Sequence, residues 1–273
     1  MKQIGIALRP EHPQGKETLD QLSQWLVAQE KTVVLLHRGD QKPPPPLDLL
    51  IVLGGDGTFL SAARQVAGRD TPILGVNLGS LGFLTEVTLD ELYSNLKRIF
   101  EDGFEEDHCQ TLSSFISREN VDYAQPTVLN DVTIHKGALS KLLQLEITID
   151  SQFVTAIRAD GLIISSATGS TAYSLSSGGP IVHPSVDAML LTPISPHMLT
   201  NRPLLVRSDA QVCVTLKSAE EGPIAMFDGQ EVFPLKSNDV VQITAAEKRL
   251  RMILSPNRSY YEVLREKLKW GEF

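Results

Sequence analysis

The sequence lacks several features that would assign a chain to a protein class at once. It has only two cysteines, Cys109 and Cys213, which show no metal-ligand spacing and are too few for a disulfide-rich scaffold. We therefore expect both thiols to be reduced and structural, in a cytoplasmic protein. No apolar run approaches the roughly 18 residues that a membrane helix needs, and the N-terminal stretch has no signal-peptide pattern. Membrane association is not expected.

Positive charge is also scarce. The chain has 25 lysines and arginines against 33 aspartates and glutamates, a formal charge of −8. Without a general positive field, nucleic acid is not an expected partner, and any polyanionic ligand must be bound by local groups. The six histidines form no H-E-x-x-H or comparable pattern, so no dedicated protein metal site is expected.

What the sequence does have is a regular alternation of strand and helix patterns over its first hundred residues. Short apolar runs at 4–8, 32–36, 47–53 and 72–78 predict strands. Helical spacing separates them, and a helix is expected to begin near Thr58. The pattern at 88–103 predicts another helix, with Thr88 and Glu91 as a capping box. This alternation favours an α/β domain with a doubly wound parallel sheet over residues 1–108.

From about Cys109 the pattern changes to short strands separated by turn residues. Residues 144–150 and 249–254 alternate apolar and polar side chains, as in strands with one buried face. We therefore predict a mostly antiparallel, β-rich domain over residues 109–254. Residues 259–270 return to helical spacing, and we expect residues 255–273 to pack back on the first domain.

The stretch "IVLGGDGTFL" at 51–60 contains the most informative loop. Gly54, Gly55 and Gly57 follow a buried strand and precede a helix, which is where open α/β sheets bind ligands. The spacing fits neither a G-x-G-x-x-G fingerprint nor a P-loop, and Asp56 stands where a phosphate loop commonly adds a lysine. The alternative interpretation is a tight turn with Asp56 as a solvated turn residue.

Three further segments carry polar groups of interest. "NLGSLGFL" at 77–84 is a second glycine-bearing loop after a strand; the alternative interpretation is an ordinary loop that binds no ligand. Asn130 and Asp131 precede a predicted strand and could bind both hydroxyls of a ribose, or simply form a turn. Residues 158–182 hold a strand and then a block of serines and threonines, where a short helix would direct N–H and O–H donors at phosphate or ribose oxygens. A serine-rich linker is the other interpretation of that block.

Taken together, these segments resemble the NAD kinase family of the bacterial type. The resemblance rests on GGDG at 54–57, the Asn130 and Asp131 pair, "DGLIISSATGSTAYSLSSGGPIVHP" from Asp160, and "LTPISPHMLTNRPLLV" at 191–206. The serine and threonine block is highly specific, whereas lipid kinases and phosphofructokinases have similar GGDG loops. The family implies two domains with a cleft between them, and transfer of the γ-phosphoryl group of ATP to the adenosine ribose 2′-hydroxyl of NAD.

The resemblance also implies roles for individual residues. Asp56 would handle the proton of the 2′-hydroxyl, Gly54 and Gly55 would belong to the phosphate loop, and Asn130 with Asp131 would hold a ribose. The other implied substrate-binding residues are Gly57, Phe83, Lys141, Arg158, Asp160, Thr168, Thr171, Ala172, Tyr173, Ser174, Leu175, Ser176 and Gln230. Two positions depart from the family pattern, because the pair is commonly Asn-Glu and because Lys141 stands where related enzymes can have histidine.

ATP would bring a divalent metal, Mg²⁺ or Mn²⁺, and NAD would be a substrate rather than a cofactor. The family implies homodimers or homotetramers. Two other functions stay open, namely another kinase with a GGDG loop acting on a lipid or sugar, and a non-catalytic module that senses NAD or NADP. The residues do not decide between ATP and polyphosphate as donor, or whether NADH is accepted and NADP inhibits.

Overall fold

The computed structural model describes residues 1–8, 15–37, 39, 42–137, 141–198, 200–218 and 222–271. The chain divides into two compact units. The first unit comprises Met1–His108 and Leu250–Phe273, and the second comprises Cys109–Arg249. Within the described ranges, no helix combines the length and apolar character that crossing a lipid bilayer requires.

The helices and strands follow one another along the chain as β1 (Gln3–Leu8), α1 (Gly15–Ala28), β2 (Thr32–Leu36), β3 (Leu49–Leu53), α2 (Asp56–Gln65), β4 (Ile73–Asn77), β5 (Val87–Thr88), α3 (Leu92–Glu101), β6 (Glu106–Cys109), β7 (Leu112–Arg118), β8 (Val121–Ala124), β9 (Asp131–His135), β10 (Leu143–Ile149), β11 (Gln152–Ala159), β12 (Gly161–Ser166), a 3₁₀ turn (Thr168–Thr171), α4 (Tyr173–Ser176), β13 (Ala188–Ile194), β14 (Leu204–Arg207), β15 (Val212–Ser218), β16 (Ile224–Phe227), β17 (Glu231–Pro234), β18 (Val240–Ala245), β19 (Leu250–Ile253) and α5 (Tyr260–Leu268).

The first unit contains the predicted parallel sheet. Its strand order is β2-β1-β3-β4-β19-β6, and β5 also pairs with β4. The pairs β1 with β2, β1 with β3, β3 with β4 and β4 with β5 are all parallel. Every residue of β3 and β4 is buried, as expected of strands covered on both faces. The α/β prediction for this region is confirmed.

One strand lies in a different sheet from the one that its sequence pattern suggested. We expected residues 249–254 to belong to the β-rich domain, but β19 pairs with β4 of the first sheet, in parallel, with Met252 opposite Ile73. Leu250, Met252 and Ile253 are buried. An alternating pattern reports burial of a strand face and does not identify the neighbouring strand, so this assignment was wrong for a physical reason.

Two helix starts also differ from expectation. Helix α2 begins at Asp56 itself, with Gly55 as its N-cap, rather than near Thr58. Helix α3 begins at Leu92, and the expected capping box is only half formed, because the Thr88 hydroxyl donates to the Glu91 carboxylate (2.8 Å) along with the Thr88 N–H (3.0 Å). A complete box occurs instead at the start of α5, between Ser259 and Glu262.

The second unit consists of two antiparallel sheets, which confirms the β-rich prediction. Their strand orders are β11-β10-β15-β18-β7-β8 and β14-β13-β12-β9-β16-β17. One hydrophobic cluster includes Ile116 and Val214 from the first of these sheets and Val132 and Leu162 from the second. The core of the unit therefore lies between the sheets, and β9 and β12, which carry candidate site residues, are central strands.

Candidate active site

Asp56 lies at the carboxyl edge of the parallel sheet, where the loops after β3 and β4 meet. Its carboxylate accepts hydrogen bonds from the backbone N–H groups of Phe83 and Leu84, each 3.0 Å long. The Thr85 hydroxyl donates a third, at 3.3 Å. Because β3 and β4 are adjacent and parallel, the two glycine-bearing loops reach the same edge, and Asp56 joins them.

Close approach of these loops depends on a glycine at position 82. A Cβ atom at Gly82 would overlap both the Asp56 carboxylate and the Thr85 hydroxyl. In the first loop, Gly54 is buried, Gly55 and Asp56 are half-buried, and Gly57 is exposed. The structure thus brings Asp56 and the backbone of Phe83 together. The Phe83 side chain, in the same loop, is half-buried.

Asn130 and Asp131 lie at one end of the second unit's sheet that contains β9. Since β9 is antiparallel to both β12 and β16, its first residue lies beside the last residues of those strands. Asp131 is opposite Ser165 of β12, and Asp228 follows directly after β16. Two carboxylates and the start of the serine and threonine block therefore converge at one sheet end.

Asp228 holds the backbone of the Asn130 and Asp131 segment. Its carboxylate accepts the N–H groups of Leu129 (3.1 Å), Asn130 (2.8 Å) and Asp131 (3.2 Å). From the other side, the Ser166 N–H donates to the Asn130 carbonyl (2.9 Å), and a Cβ at Gly169 would overlap that same carbonyl group. The pair is therefore fixed by its backbone and is not a loose turn.

Asp131 itself is in a different electrostatic state from an ordinary surface aspartate. Its side chain is 5% exposed. Burial, reinforced by the nearby Asp228 charge, raises the pKa of Asp131 to about 7, against the opposing effect of the Thr133 hydroxyl, which donates to it at 3.1 Å. Asp131 is therefore expected to hold a proton at slightly acid pH, whereas the Asp228 carboxylate accepts the three backbone donors.

The serine and threonine block contains the short helix that we expected. It forms the 3₁₀ turn and then the single helical turn α4. Several of its hydroxyls bond internally: Ser166 donates to the Leu129 carbonyl (2.5 Å), Ser170 to the Val182 carbonyl (3.1 Å), and Ser174 pairs with Thr192 (2.8 Å). These buried serines therefore bind the loop to its own sheet, and Ser174 stays a predicted substrate contact.

Thr168 differs from the other buried hydroxyls of the block. Its side chain is buried, and its Oγ1 has no hydrogen-bond partner in the described part of the chain. Buried hydroxyls are normally paired, so an unpaired one beside Asn130 and Asp131 points to a ligand contact. The neighbouring positions are more accessible: Thr171, Ala172 and Leu175 are half-buried, and Tyr173 and Ser176 are exposed.

Of the remaining predicted residues, Gln230 also lies at this sheet end, whereas Asp160, Arg158 and Lys141 do not. Asp160 precedes β12 and forms an ion pair with Lys136 (2.7 Å), so the length of β12 separates it from Thr168, about 20 Å at 3.3 Å per residue. Arg158 lies exposed on β11 in the other sheet, and Lys141 is exposed before β10. Gln230 lies in the turn after Asp228. Within the second unit, the implied NAD site is thus two groups at opposite strand ends.

Sequence reasoning missed the residues that hydrogen-bond to the candidate site residues and fix their positions. Asn77 and Thr85 connect to Asp56, and Asp228 holds Asn130 and Asp131. The signals were present, since Asn77 opens the second glycine loop and Asp228 is a lone carboxylate in the "FDGQ" turn. Without the strand order, however, nothing linked Thr85 to a carboxylate 29 positions away, or Asp228 to a segment that begins 99 positions away.

Comparisons with known proteins agree on one family. A model described as the ATP-NAD kinase N-terminal domain matches residues 36–104, and one described as the ATP-NAD kinase C-terminal domain matches residues 129–255. An NAD kinase from Syntrophotalea carbinolica is 43% identical over 284 residues, with both chains fully covered.

Two solved structures have the same fold. The yeast NADH kinase in complex with NADH has a TM-score of 0.89 at 24% identity, covering 100% of this chain and 89% of that one. An NAD kinase from Archaeoglobus fulgidus in complex with ATP has a TM-score of 0.78 at 24% identity, covering 98% of each.

Proposed function

This chain belongs to the NAD kinase family, and on that premise we propose that it transfers the γ-phosphoryl group of ATP to the 2′-hydroxyl of the adenosine ribose of NAD, which yields NADP. It is accordingly a phosphotransferase with an alcohol group as acceptor. The observation that carries the proposal is Asp56, a carboxylate held by three donors beside a glycine loop at the carboxyl edge of a parallel sheet.

Asp56 is the proposed base. Phosphoryl transfer depends mainly on positioning and on neutralising charge, and a carboxylate that accepts the proton of the attacking hydroxyl completes the nucleophile. Asp56 is the first residue of the ten-residue helix α2, so the helix N-terminus stabilises negative charge there. The backbone of Gly54, Gly55 and Gly57 lets phosphates approach closely, because glycine has no side chain in the way.

The second unit supplies most of the proposed dinucleotide contacts. Asn130 and Asp131 would bind ribose hydroxyls, and the unpaired Thr168 hydroxyl would bind an adjacent polar atom of NAD. With a pKa of about 7, Asp131 can donate as well as accept, which suits a hydroxyl that does both. Phe83, Thr171, Ala172, Tyr173, Leu175 and Ser176, with Arg158, Asp160, Lys141 and Gln230, remain proposed contacts on the strength of the family pattern.

A divalent metal is the proposed companion of ATP. Both oxygens of Asp56 already accept hydrogen bonds, which fits a proton acceptor better than an inner-sphere metal ligand. Mg²⁺ or Mn²⁺ would therefore be held mainly by phosphate oxygens and water, as is common for nucleotide-bound magnesium. We also propose a cytoplasmic homodimer or homotetramer, which light scattering coupled to size exclusion would test.

One assay tests the activity. Purified protein is incubated with NAD, ATP and Mg²⁺, and NADP is detected with an NADP-specific dehydrogenase; parallel reactions replace ATP with polyphosphate or NAD with NADH. We expect NADP to accumulate with ATP and NAD. No NADP in any reaction would reject the proposal, and thermal stabilisation by NAD without transfer would indicate a sensing module instead.

A further inference from the structure

A chain of hydrogen bonds runs behind Asp56. The Thr85 hydroxyl, 0% exposed, donates to Asp56 Oδ1 (3.3 Å) and accepts from Asn77 Nδ2 (3.2 Å). The Asn77 side-chain oxygen accepts the Gly79 N–H (2.5 Å), and Nδ2 also donates to the Ser80 carbonyl. These two loop contacts fix the amide so that its NH₂ group faces Thr85.

The direction of the chain follows from the number of hydrogens. A hydroxyl has one proton to donate. Since Asn77 Nδ2 can only donate, Thr85 Oγ1 accepts from it and directs its own proton to the Asp56 carboxylate. The Thr85 hydroxyl is therefore not free to rotate toward another acceptor.

The two oxygens of Asp56 are consequently unequal. Among the described residues, Oδ1 accepts both the Leu84 N–H and the Thr85 hydroxyl, whereas Oδ2 accepts the Phe83 N–H alone. A carboxylate oxygen has two lone pairs in its plane, so Oδ1 is filled and Oδ2 has one position left. That position is where a further hydroxyl can donate.

We propose that Thr85 is a positioning residue that, held by Asn77, reserves Oδ2 of Asp56 for the hydroxyl of the phosphoryl acceptor. The inference rests on the proposed function, since it assigns the acceptor hydroxyl to one oxygen of the proposed base. Without the Thr85 hydroxyl, each oxygen would accept one backbone N–H and the two would become equivalent. The carboxylate would then be free to rotate, and Oδ2 would no longer be held in line with the phosphoryl group.

Burial makes the Thr85 contact hard to replace. Water cannot take over from a hydroxyl that is fully enclosed, and Gly82 leaves no spare space beside it, because a Cβ at that position would already overlap both Thr85 Oγ1 and Asp56 Oδ1. Removal of the hydroxyl therefore leaves Oδ1 short of a donor.

The test compares steady-state kinetics of Thr85→Val, Thr85→Ser and the matched control Thr71→Val. Thr71 is also a buried threonine of the first unit, and its hydroxyl donates to the Leu47 carbonyl (3.2 Å). We expect Thr85→Val to lower kcat by about 10- to 100-fold with the KM values for NAD and ATP within about twofold, since misplacement affects the reacting geometry more than binding. Thr85→Ser should restore kcat to within about threefold, and Thr71→Val should lower Tm with kcat unchanged.

A second variant guards against a folding defect in Thr85→Val. Asn77→Asp keeps the shape but turns the amide donor into an acceptor, which would draw the Thr85 proton away from Asp56. We expect it to lower kcat as Thr85→Val does, and the double variant to lose much less than the product of the two.

The outcomes separate the hypotheses. Normal kcat in Thr85→Val, failure of serine to rescue, or equal changes in kcat in Thr71→Val would overturn the positioning role. If the unaltered protein makes no NADP, the proposed function fails first, and that result is distinct from any outcome among the variants.

Discussion

The loop of Asp56 in the first unit and the segment of Asp131 in the second each contain a candidate functional carboxylate, but its surroundings differ. Asp56 is half-buried and accepts three hydrogen bonds. Asp131 is buried, accepts one from Thr133, and lies near Asp228, which collects the three backbone donors of its segment. The placement of donors, rather than the residue type, thus distinguishes a carboxylate that accepts three hydrogen bonds from one whose pKa is raised by burial.

The largest expected effect is on kcat and comes from removing the carboxylate of Asp56. Asp56→Asn should reduce kcat by about 10³- to 10⁴-fold, because an amide cannot take the hydroxyl proton. Its NH₂ group would also face a backbone N–H. Steady-state kinetics measure the loss, with Asp90→Asn, at an exposed aspartate before α3, as the control. A near-normal kcat in Asp56→Asn would remove this residue from the role of base.

For the segment of Asp131, the largest effect should be on the stability of the protein. Asp228→Ala leaves three largely buried N–H groups without their acceptor, which we expect to lower the free energy of unfolding by about 3 kcal/mol. Urea denaturation measures this, and Asp122→Ala, at an exposed aspartate of β8, should change it by less than about 0.5 kcal/mol. Equal losses in both variants would mean that Asp228 does not hold the segment.

The loop geometry around Asp56 can be disturbed without touching the carboxylate. Gly82→Ala inserts a methyl group where Asp56 and Thr85 already lie, so we expect kcat to fall about 30- to 100-fold, because the base is displaced. Gly79→Ala is the matched control in the same loop, where a Cβ would have its nearest neighbour at 3.9 Å, the Asn77 side-chain oxygen. A similar kcat for both alanine variants would contradict the close approach at Gly82.

The smallest effect should depend on pH. The pKa of Asp131 is raised from 3.8 to about 7 by burial and by Asp228. Between these values the folded chain keeps a proton that the unfolded chain has released, so this group lowers stability as pH rises through that window. Asp131→Asn removes the penalty. We expect a gain of about 1 to 2 kcal/mol at pH 7.5 and a smaller one at pH 5.

Urea denaturation of both forms at the two pH values measures this difference. Each other group titrates alike in the two forms, so the change in the difference belongs to the Asp131 and Asp228 pair. A gain that is the same at pH 5 and pH 7.5, or a loss that grows with pH, would contradict the raised pKa. NAD binding by the same variant should weaken, since the amide at 131 replaces a carboxyl group at the proposed ribose contact.

Local patterns predicted much of the fold. The fully apolar run of β3 and the helical spacing of residues 92–100 predicted the right elements, because burial on one or both faces imposes its own periodicity on a sequence. Local patterns did not predict which strand or side chain an element would pair with in space. The β19 strand was placed in the wrong sheet, and the capping box expected at Thr88 is only half formed, while Glu91 also accepts hydrogen bonds from Asn257 and Arg258.

The site shows the same division. Asp56, the Asn130 and Asp131 pair and the serine and threonine block stand out in the sequence, because glycines beside a strand end and clustered polar groups are unusual in a buried region. The sequence does not show which of these side chains bond to the protein and which are left for a ligand. Ser166, Ser170 and Ser174 resemble ligand donors in the sequence but bond to the protein itself, while Thr168 in the same block is left without a partner among the described residues.

By itself, then, the sequence determined the order of the elements, the family and the residues with chemistry to offer, since each of these depends on neighbours along the chain. Tertiary structure alone decided that Thr85 donates to Asp56 and that Asp228 takes the donors that Asp131 lacks. Hydrogen-bond partners and burial depend on which strands lie side by side. Those neighbours set the hydrogen-bond partners of each candidate carboxylate and raise the pKa of Asp131.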